Sequence, residues 1–335
     1  MKSSDWTVER APDLNPASAL LFVINAASGH HDLEQTRQMI ESTLTATGRT
    51  GELLITEPKE LARTADQAAA RAGTLRSAVV AVGGDGTINT VAQAAHTAGC
   101  AMGVVPQGTF NYFARNHGLP DDPEGALHAL LSSAPVAVQV GLVNDRVFLV
   151  NASLGLYPDL LQDREAYKAR FGRSRLVAFG AGLVTLLGQH RQLRLRIDVG
   201  ASGREVKTTT LFVGNNRLQL ERLGLDEAQG LDHGCLAAVM LQPVGALAML
   251  GLLWRGAMGT LGEATTLDSF GFHRMVVRPQ RAWRHRMVKV AFDGEVARMR
   301  APLEFRVASK PLYLLKPQPD PEQTEPAEAR DRDAG

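Results

Sequence analysis

The densest chemistry in this sequence lies in Val79-Val80-Ala81-Val82-Gly83-Gly84-Asp85-Gly86-Thr87-Ile88-Asn89. An apolar run ends in Gly83, Gly84 and Gly86 and continues into a pattern that opens a helix. Glycines let the backbone curl so that successive N–H groups point into one concavity. A helix that starts there adds its positive end, which favours phosphate. The motif lacks the Gly-Lys-Ser/Thr ending of a Walker A loop and the spacing of a dinucleotide fingerprint. Asp85 discriminates further. A carboxylate beside a polyphosphate is repelled unless a cation lies between them, which points to a Mg²⁺–nucleotide site. On residue chemistry alone, a tight turn in which Asp85 caps the helix at Thr87 accounts for the same residues equally well.

Two further loops have the same character. One is Asn25-Ala26-Ala27-Ser28-Gly29 and the other Pro106-Gln107-Gly108-Thr109-Phe110-Asn111. Each alone reads as an ordinary turn. Each, however, follows an apolar strand pattern, and ligands of open α/β sheets bind outside the carboxyl ends of the strands.

The elements that must position these loops alternate in type. Ala19–Asn25, Gly51–Thr56, Ser77–Val82 and Met102–Val105 read as strands. A helix carries Leu33, Arg37, Ile40 and Leu44, and another, started by Pro58, carries Leu61, Ala65, Ala68 and Ala72. Such alternation predicts a parallel sheet covered by helices over 18–135. From Val136 the pattern changes to short alternating strands. Val136–Val150 reads as a hairpin turning at Asn144-Asp145, and Leu193–Val199 as a strand that Gly200–Gly203 turns back into Thr208–Val213. Asp293-Gly294 reads as a further hairpin turn. Residues 136–316 are therefore expected to form a mostly antiparallel β domain with helical inserts near 162–190 and 244–258. The tail 317–335, rich in Pro, Glu and Asp, is expected to be disordered.

Composition limits the functional classes. The chain has 335 residues, 36 Lys and Arg against 35 Asp and Glu, and 44% hydrophobic residues. It is globular, and no global field recruits nucleic acid. Cys100 and Cys235 form no disulfide framework or metal spacing, which suits a reduced, cytoplasmic compartment. Leu176–Gly188 is too short to cross a bilayer, and Cys235–Trp254 is broken at Gln242-Pro243.

Taken in order, GGDGT (83–87), NAASG (25–29), GTFNYFAR (108–115), VFLVNASLGLYP (147–158), VGNN (213–216), LDHGCL (231–236) and FDGEV (292–296) resemble the diacylglycerol kinase catalytic-domain family over roughly 18–316. That family includes bacterial lipid kinases and sphingosine kinases and is distantly similar in fold to NAD kinases and phosphofructokinases. The resemblance implies an N-terminal α/β nucleotide-binding domain, a β-rich lipid domain, and ATP and Mg²⁺ as cofactors. It implies that ATP is held by Asn25, Ser28, Gly29, Thr56, Gly83, Gly84, Asp85, Gly86, Thr87, Asn89, Gly108, Thr109 and Asn111. Asp85 matches the aspartate of the Mg²⁺–phosphate network, and Asp232 matches a metal-linked turn. The DGE turn that supplies the catalytic base falls on Asp293, Gly294 and Glu295, with Glu295 favoured. The implied reaction moves the γ-phosphoryl of ATP to a hydroxyl of diacylglycerol or a related lipid. Another alcohol, such as a sphingoid base or NAD, or a weakened nucleotide- and lipid-binding protein, is the alternative.

Departures from the family pattern are Ala26, Tyr112, Gln139 and His233. His233 stands where an oxygen ligand is usual, which argues against the structural metal site. Lipid access implies peripheral contact with the inner face of a membrane; self-association is left open. Basic residues Arg274, Arg278, Arg281, Arg284, Arg286 and Lys289 around Trp283 could rest on anionic headgroups, or simply be solvated strand and turn residues. Arg164, Lys168, Arg170, Arg173 and Arg175 open an insert that reads either as a lipid-facing lid or as a docked basic helix.

Overall fold

The structure, a computed structural model, describes residues 11–27, 33–155, 192–222, 224–243, 266–280 and 287–317. The first part runs β1 (Leu20–Asn25), α1 (Leu33–Thr47), β2 (Gly51–Thr56), α2 (Leu61–Leu75), β3 (Ala78–Gly83), α3 (Asp85–Ala98), β4 (Ala101–Pro106), α4 (Tyr112–Asn116), α5 (Pro123–Leu131) and β5 (Ala134–Val138). Strand β3 is apolar and buried at every position, as a central parallel strand covered on both faces must be. The predicted stripe Leu61, Ala65, Ala68 and Ala72 is buried, and its alanines let α2 close on Ala92 and Ala95 of α3. Pro58 precedes α2 by three residues instead of starting it. On the other face α1 buries Ile40 and Leu44 beside Phe22 and Leu127.

The remainder runs β6 (Gly141–Val143), β7 (Arg146–Phe148), β8 (Asn151–Gly155), β9 (Leu193–Val199), β10 (Ser202–Thr208), β11 (Thr210–Gly214), α6 (Arg217–Arg222), a 3₁₀ turn (Asp226–His233), β12 (Leu236–Leu241), β13 (Leu267–Phe272), β14 (Arg274–Pro279), β15 (Met287–Phe292), β16 (Glu295–Arg300), β17 (Leu303–Val307) and β18 (Leu312–Lys316). Among the described residues the strands form three six-stranded sheets: β2-β1-β3-β4-β18-β5, β10-β9-β14-β17-β6-β7 and β13-β12-β11-β8-β15-β16. The second and third face each other across one apolar core, in which Leu195, Ile197 and Phe305 meet Leu154, Leu211 and Val290.

Sequence and structure differ in three further places. The hairpin expected over Val136–Val150 is shorter, β6 with β7, while residues 134–138 belong to the first sheet. The strand returning from Gly200 is β10, not Thr208–Val213; Thr208 ends one sheet and Thr210 begins the next. Most consequentially, β18 lies between β4 and β5, parallel to the first and antiparallel to the second. Residues 312–316 thus return the chain to the first sheet, across the sequence boundary drawn at 135/136. The inserts, the tail beyond Pro317, and Arg281 to Arg286 lie outside the described residues.

Candidate active site

The carboxyl ends of β1, β2, β3 and β4 gather the predicted loops on one edge of the first sheet. Gly84 occupies the cap position of α3 without a side chain to satisfy it, and Asp85 is the first helical residue. Among the described residues no side chain caps α3, so its first-turn N–H groups are left for a ligand at this edge. Asp85 does not cap Thr87, whose hydroxyl accepts a 3.2 Å bond from Asn25 Nδ2. Asn25 Oδ1 in turn accepts from the Ala27 N–H, so the β1 loop is tied to the glycine loop.

The β4 loop closes from the other side. Gln107 N–H donates to the Gly83 carbonyl at 2.8 Å, and Asn111 Oδ1 accepts from Gly108 N–H at 3.0 Å. A Cβ on Gly108 would stand 3.1 Å from the Gly84 Cα and 2.7 Å from Asn111 Oδ1, so only glycine fits this crossing. Asn111 takes a left-handed conformation, φ 47°, which turns the Asn111 and Tyr112 amides onto Asp85. Burial pushes the Asp85 carboxyl above the usual Asp range, and those two amides pull it back part-way. Its Oδ1 is enclosed and has no hydrogen-bond partner. An enclosed carboxylate oxygen left bare beside unspent amides is a fit for a divalent cation accompanying a polyphosphate.

The β15–β16 turn brings two more carboxylates here, with different surroundings. Asp293 has φ 46° and Gly294 φ 87°, the left-handed pair of a tight hairpin turn. Asp293 Oδ2 accepts from Asn89 Nδ2 and Leu149 N–H, both at 2.6 Å, and Oδ1 from Val150 N–H at 2.8 Å and Asn151 N–H at 2.9 Å. Burial raises its carboxyl to about 6 despite these four donors. All its acceptor capacity facing the protein is spent, so it fastens α3 to the β7–β8 corner. Glu295 is freer. A Cβ on Gly86 would lie 3.4 Å from Glu295 Oε1, which places that carboxylate against the first turn of α3. Burial pushes it above the usual Glu range, and Arg146 pulls it the other way.

The other predicted residues divide by placement. Thr109 is exposed at the lip of the crevice. Thr56 is buried, its hydroxyl 3.0 Å from that of Thr64, so it shapes the β2 loop. Asn89 spends its amide on Asp293 and the Val147 carbonyl. Ser28 and Gly29 lie outside the described residues, as does the side chain of Asp232 on the 3₁₀ turn. Among the described residues no three His, Cys, Asp or Glu side chains converge on a further metal position.

Two departures have a structural account. Gln139 Nε2 donates to Asn215 Oδ1 at 2.8 Å and to the Cys235 carbonyl at 2.9 Å; a carboxylate there has no hydrogen to give. Tyr112 meets the site through its backbone, and its ring stacks on the exposed Phe110 at 5.6 Å. Residue chemistry alone missed Gln107, which is buried and donates to Thr36 Oγ1 at 2.8 Å. It also missed the Leu149, Val150 and Asn151 amides, because backbone donors leave no mark on residue type.

The sequence model of the diacylglycerol kinase catalytic domain matches residues 19–143, the span that carries all three loops. This domain belongs to the diacylglycerol kinase catalytic-domain family. A probable YegS-like lipid kinase of Chromohalobacter salexigens is 34% identical over 158 residues, 44% of this chain and 47% of that protein. A diacylglycerol kinase of Staphylococcus aureus is 26% identical over 200 residues, 58% of each chain. The alignments thus span about half the length of these relatives. The likeness in fold is broader. A crystal structure of a diacylglycerol kinase from Bacillus anthracis, 16% identical, superimposes with a TM-score of 0.62 over 91% of this chain and 97% of that one. A second structure from that organism reaches 0.67 at 18% identity. The β-rich sheets of this chain therefore continue the diacylglycerol kinase fold beyond the matched domain.

Proposed function

We propose that the protein is an ATP-dependent lipid kinase that transfers the γ-phosphoryl group of ATP to a hydroxyl of diacylglycerol or a related lipid. The observation that carries this reading is the bare, enclosed Oδ1 of Asp85 at the start of α3, with Glu295 against the same helical turn. The unspent amides of residues 84–87 and the β4 loop hold the phosphates. Asp85 is the residue that would hold Mg²⁺, which supplies charge neutralisation on the β- and γ-phosphates. Glu295 accepts the proton of the lipid hydroxyl as that oxygen bonds to the γ-phosphorus. The bond from the γ-phosphorus to the β,γ-bridging oxygen breaks, and ADP leaves with the electron pair. Asn25, Asn111 and Asp293 keep the parts in register without touching the reacting atoms.

Transfer of labelled γ-phosphate from ATP to a lipid extract, with identification of the labelled product, tests the proposal. The expected product is a phosphatidate-type phosphomonoester formed only with Mg²⁺ present. Label on a sphingoid base or NAD would reassign the acceptor, and no labelled alcohol of any kind would overturn the kinase reading. Docking of the protein on the membrane is not assigned to the basic stretch of β14. Arg274 there pairs with Glu304, and Arg278 with Asp198.

A further inference from the structure

At the opposite end of the β1 strand, the segment preceding β1 runs beside the ends of α1 and α5 and lines an open cavity of about 420 Å³. That volume is within the range of small-molecule sites, roughly 300–1,000 Å³. Its walls are mostly apolar: Leu14, Leu20, Leu130, Leu131 and Leu315 line it. Two charged residues also border it, and their situations differ. Asp13 is held in an ion pair by Arg76. Arg49 has no such partner: its Nε is enclosed with no hydrogen-bond acceptor, and no carboxylate among the described residues pairs with it. An enclosed guanidinium N–H left without an acceptor costs free energy, and the planar fork that carries it suits carboxylate and phosphate alike.

We propose that this cavity is a second binding site, for an amphiphile with one anionic head and an apolar tail. The head, a carboxylate or a phosphomonoester, meets Arg49, and the tail lies against the leucines. The site is separate from the proposed catalytic crevice. Leu20 and Asn25 mark the two ends of the β1 strand and lie roughly 17 Å apart, at about 3.3 Å per strand residue. Strand β1 and helix α1 connect the two places, since Asn25 ties to Thr87 at one end while Leu20 and Arg49 border the cavity at the other.

Titration calorimetry on the full chain, below micelle-forming concentrations, tests this with dodecanoate and dodecyl phosphate as probes. Dodecanol supplies the tail without the head, and acetate and inorganic phosphate the head without the tail. At least one anionic probe is expected to bind saturably with one site per chain, and which one binds decides the head group. Dodecanol and the free anions are expected at least tenfold weaker. Arg49→Ala should weaken binding at least tenfold and remove the rise in melting temperature that the probe produces, with Arg49→Lys between it and the wild type. Asp85→Asn should bind the probe unchanged, which separates this site from the kinase reading. Dodecanol binding as tightly as the anions, or equal affinity in the wild type and Arg49→Ala, would overturn the proposal. So would the absence of saturable binding by either anionic probe.

Discussion

Two carboxylates two residues apart on one turn have opposite surroundings, and those surroundings divide their work. Four donors converge on Asp293, whereas Glu295 faces Gly86 and the open crevice. A general base must be free to take a proton, so the account assigns that step to Glu295. Glu295→Gln should lower kcat by about 10²- to 10⁴-fold, the usual contribution of a positioned base. Because burial raises the Glu295 carboxyl, the wild-type rate should climb with pH through a value above the ordinary Glu range. The pH–rate profile of the variant should lack that limb. Retention of the limb would place the base elsewhere. At the sequence level the DGE turn was visible and Glu295 was favoured, but the turn said only that one of the two carboxylates faces the site. The donors that occupy Asp293 are mostly backbone amides from 149–151, distant in sequence and silent in residue type.

Elements explain why the three loops form one crevice. Parallel strands deliver their loops to one edge, and the alternation of apolar runs and helical stripes made that sheet legible from residues alone. The close approach of Gly84 and Gly108 was not legible, because nothing in either loop reports the other. Their contact makes a sharp prediction. Gly108→Ala places a Cβ 3.1 Å from the Gly84 Cα, a backbone atom, and 2.7 Å from Asn111 Oδ1. The loops must separate, at a cost of about 1–3 kcal/mol typical of overpacking. Nucleotide affinity should fall at least tenfold by calorimetry, with the fold kept by circular dichroism. Unchanged affinity would remove the β4 loop from the site. Helix α3 shows the complementary lesson: Asp85 at a helix start reads equally well as a cap until the structure shows Oδ1 without a partner.

The whole molecule is held together at two places that sequence order hides. Strand β18 inserts between β4 and β5, so the α/β layer is completed by a strand that follows the whole β-rich part in sequence. A linear reading of 18–135 as one unit has no means of seeing this, since a five-residue strand carries no mark of its neighbours. The second place is Asp293, which joins α3 to the β7–β8 corner and the β15–β16 turn. Asp293→Asn turns one acceptor into a donor that faces donors. It should cost about 1–3 kcal/mol in chemical denaturation. The cost depends on pH in a defined sense. Folding raises this carboxyl from 3.8 to about 6, so the native state holds the proton more tightly than the unfolded chain. That stability is complete below about pH 4 and is lost as pH rises to about 6. The gap between wild type and Asp293→Asn should narrow over that interval and level off above it. A gap that widens with pH would contradict the sign.

The role proposed for Asp85, holding a metal-bound triphosphate, stands or falls on one comparison. Wild-type protein and Asp85→Asn, matched for circular dichroism and melting temperature, are given labelled ATP, Mg²⁺ and diacylglycerol in mixed micelles. The account predicts labelled phosphatidate from the wild type and none above background from the variant. Equal turnover by the two proteins would contradict it.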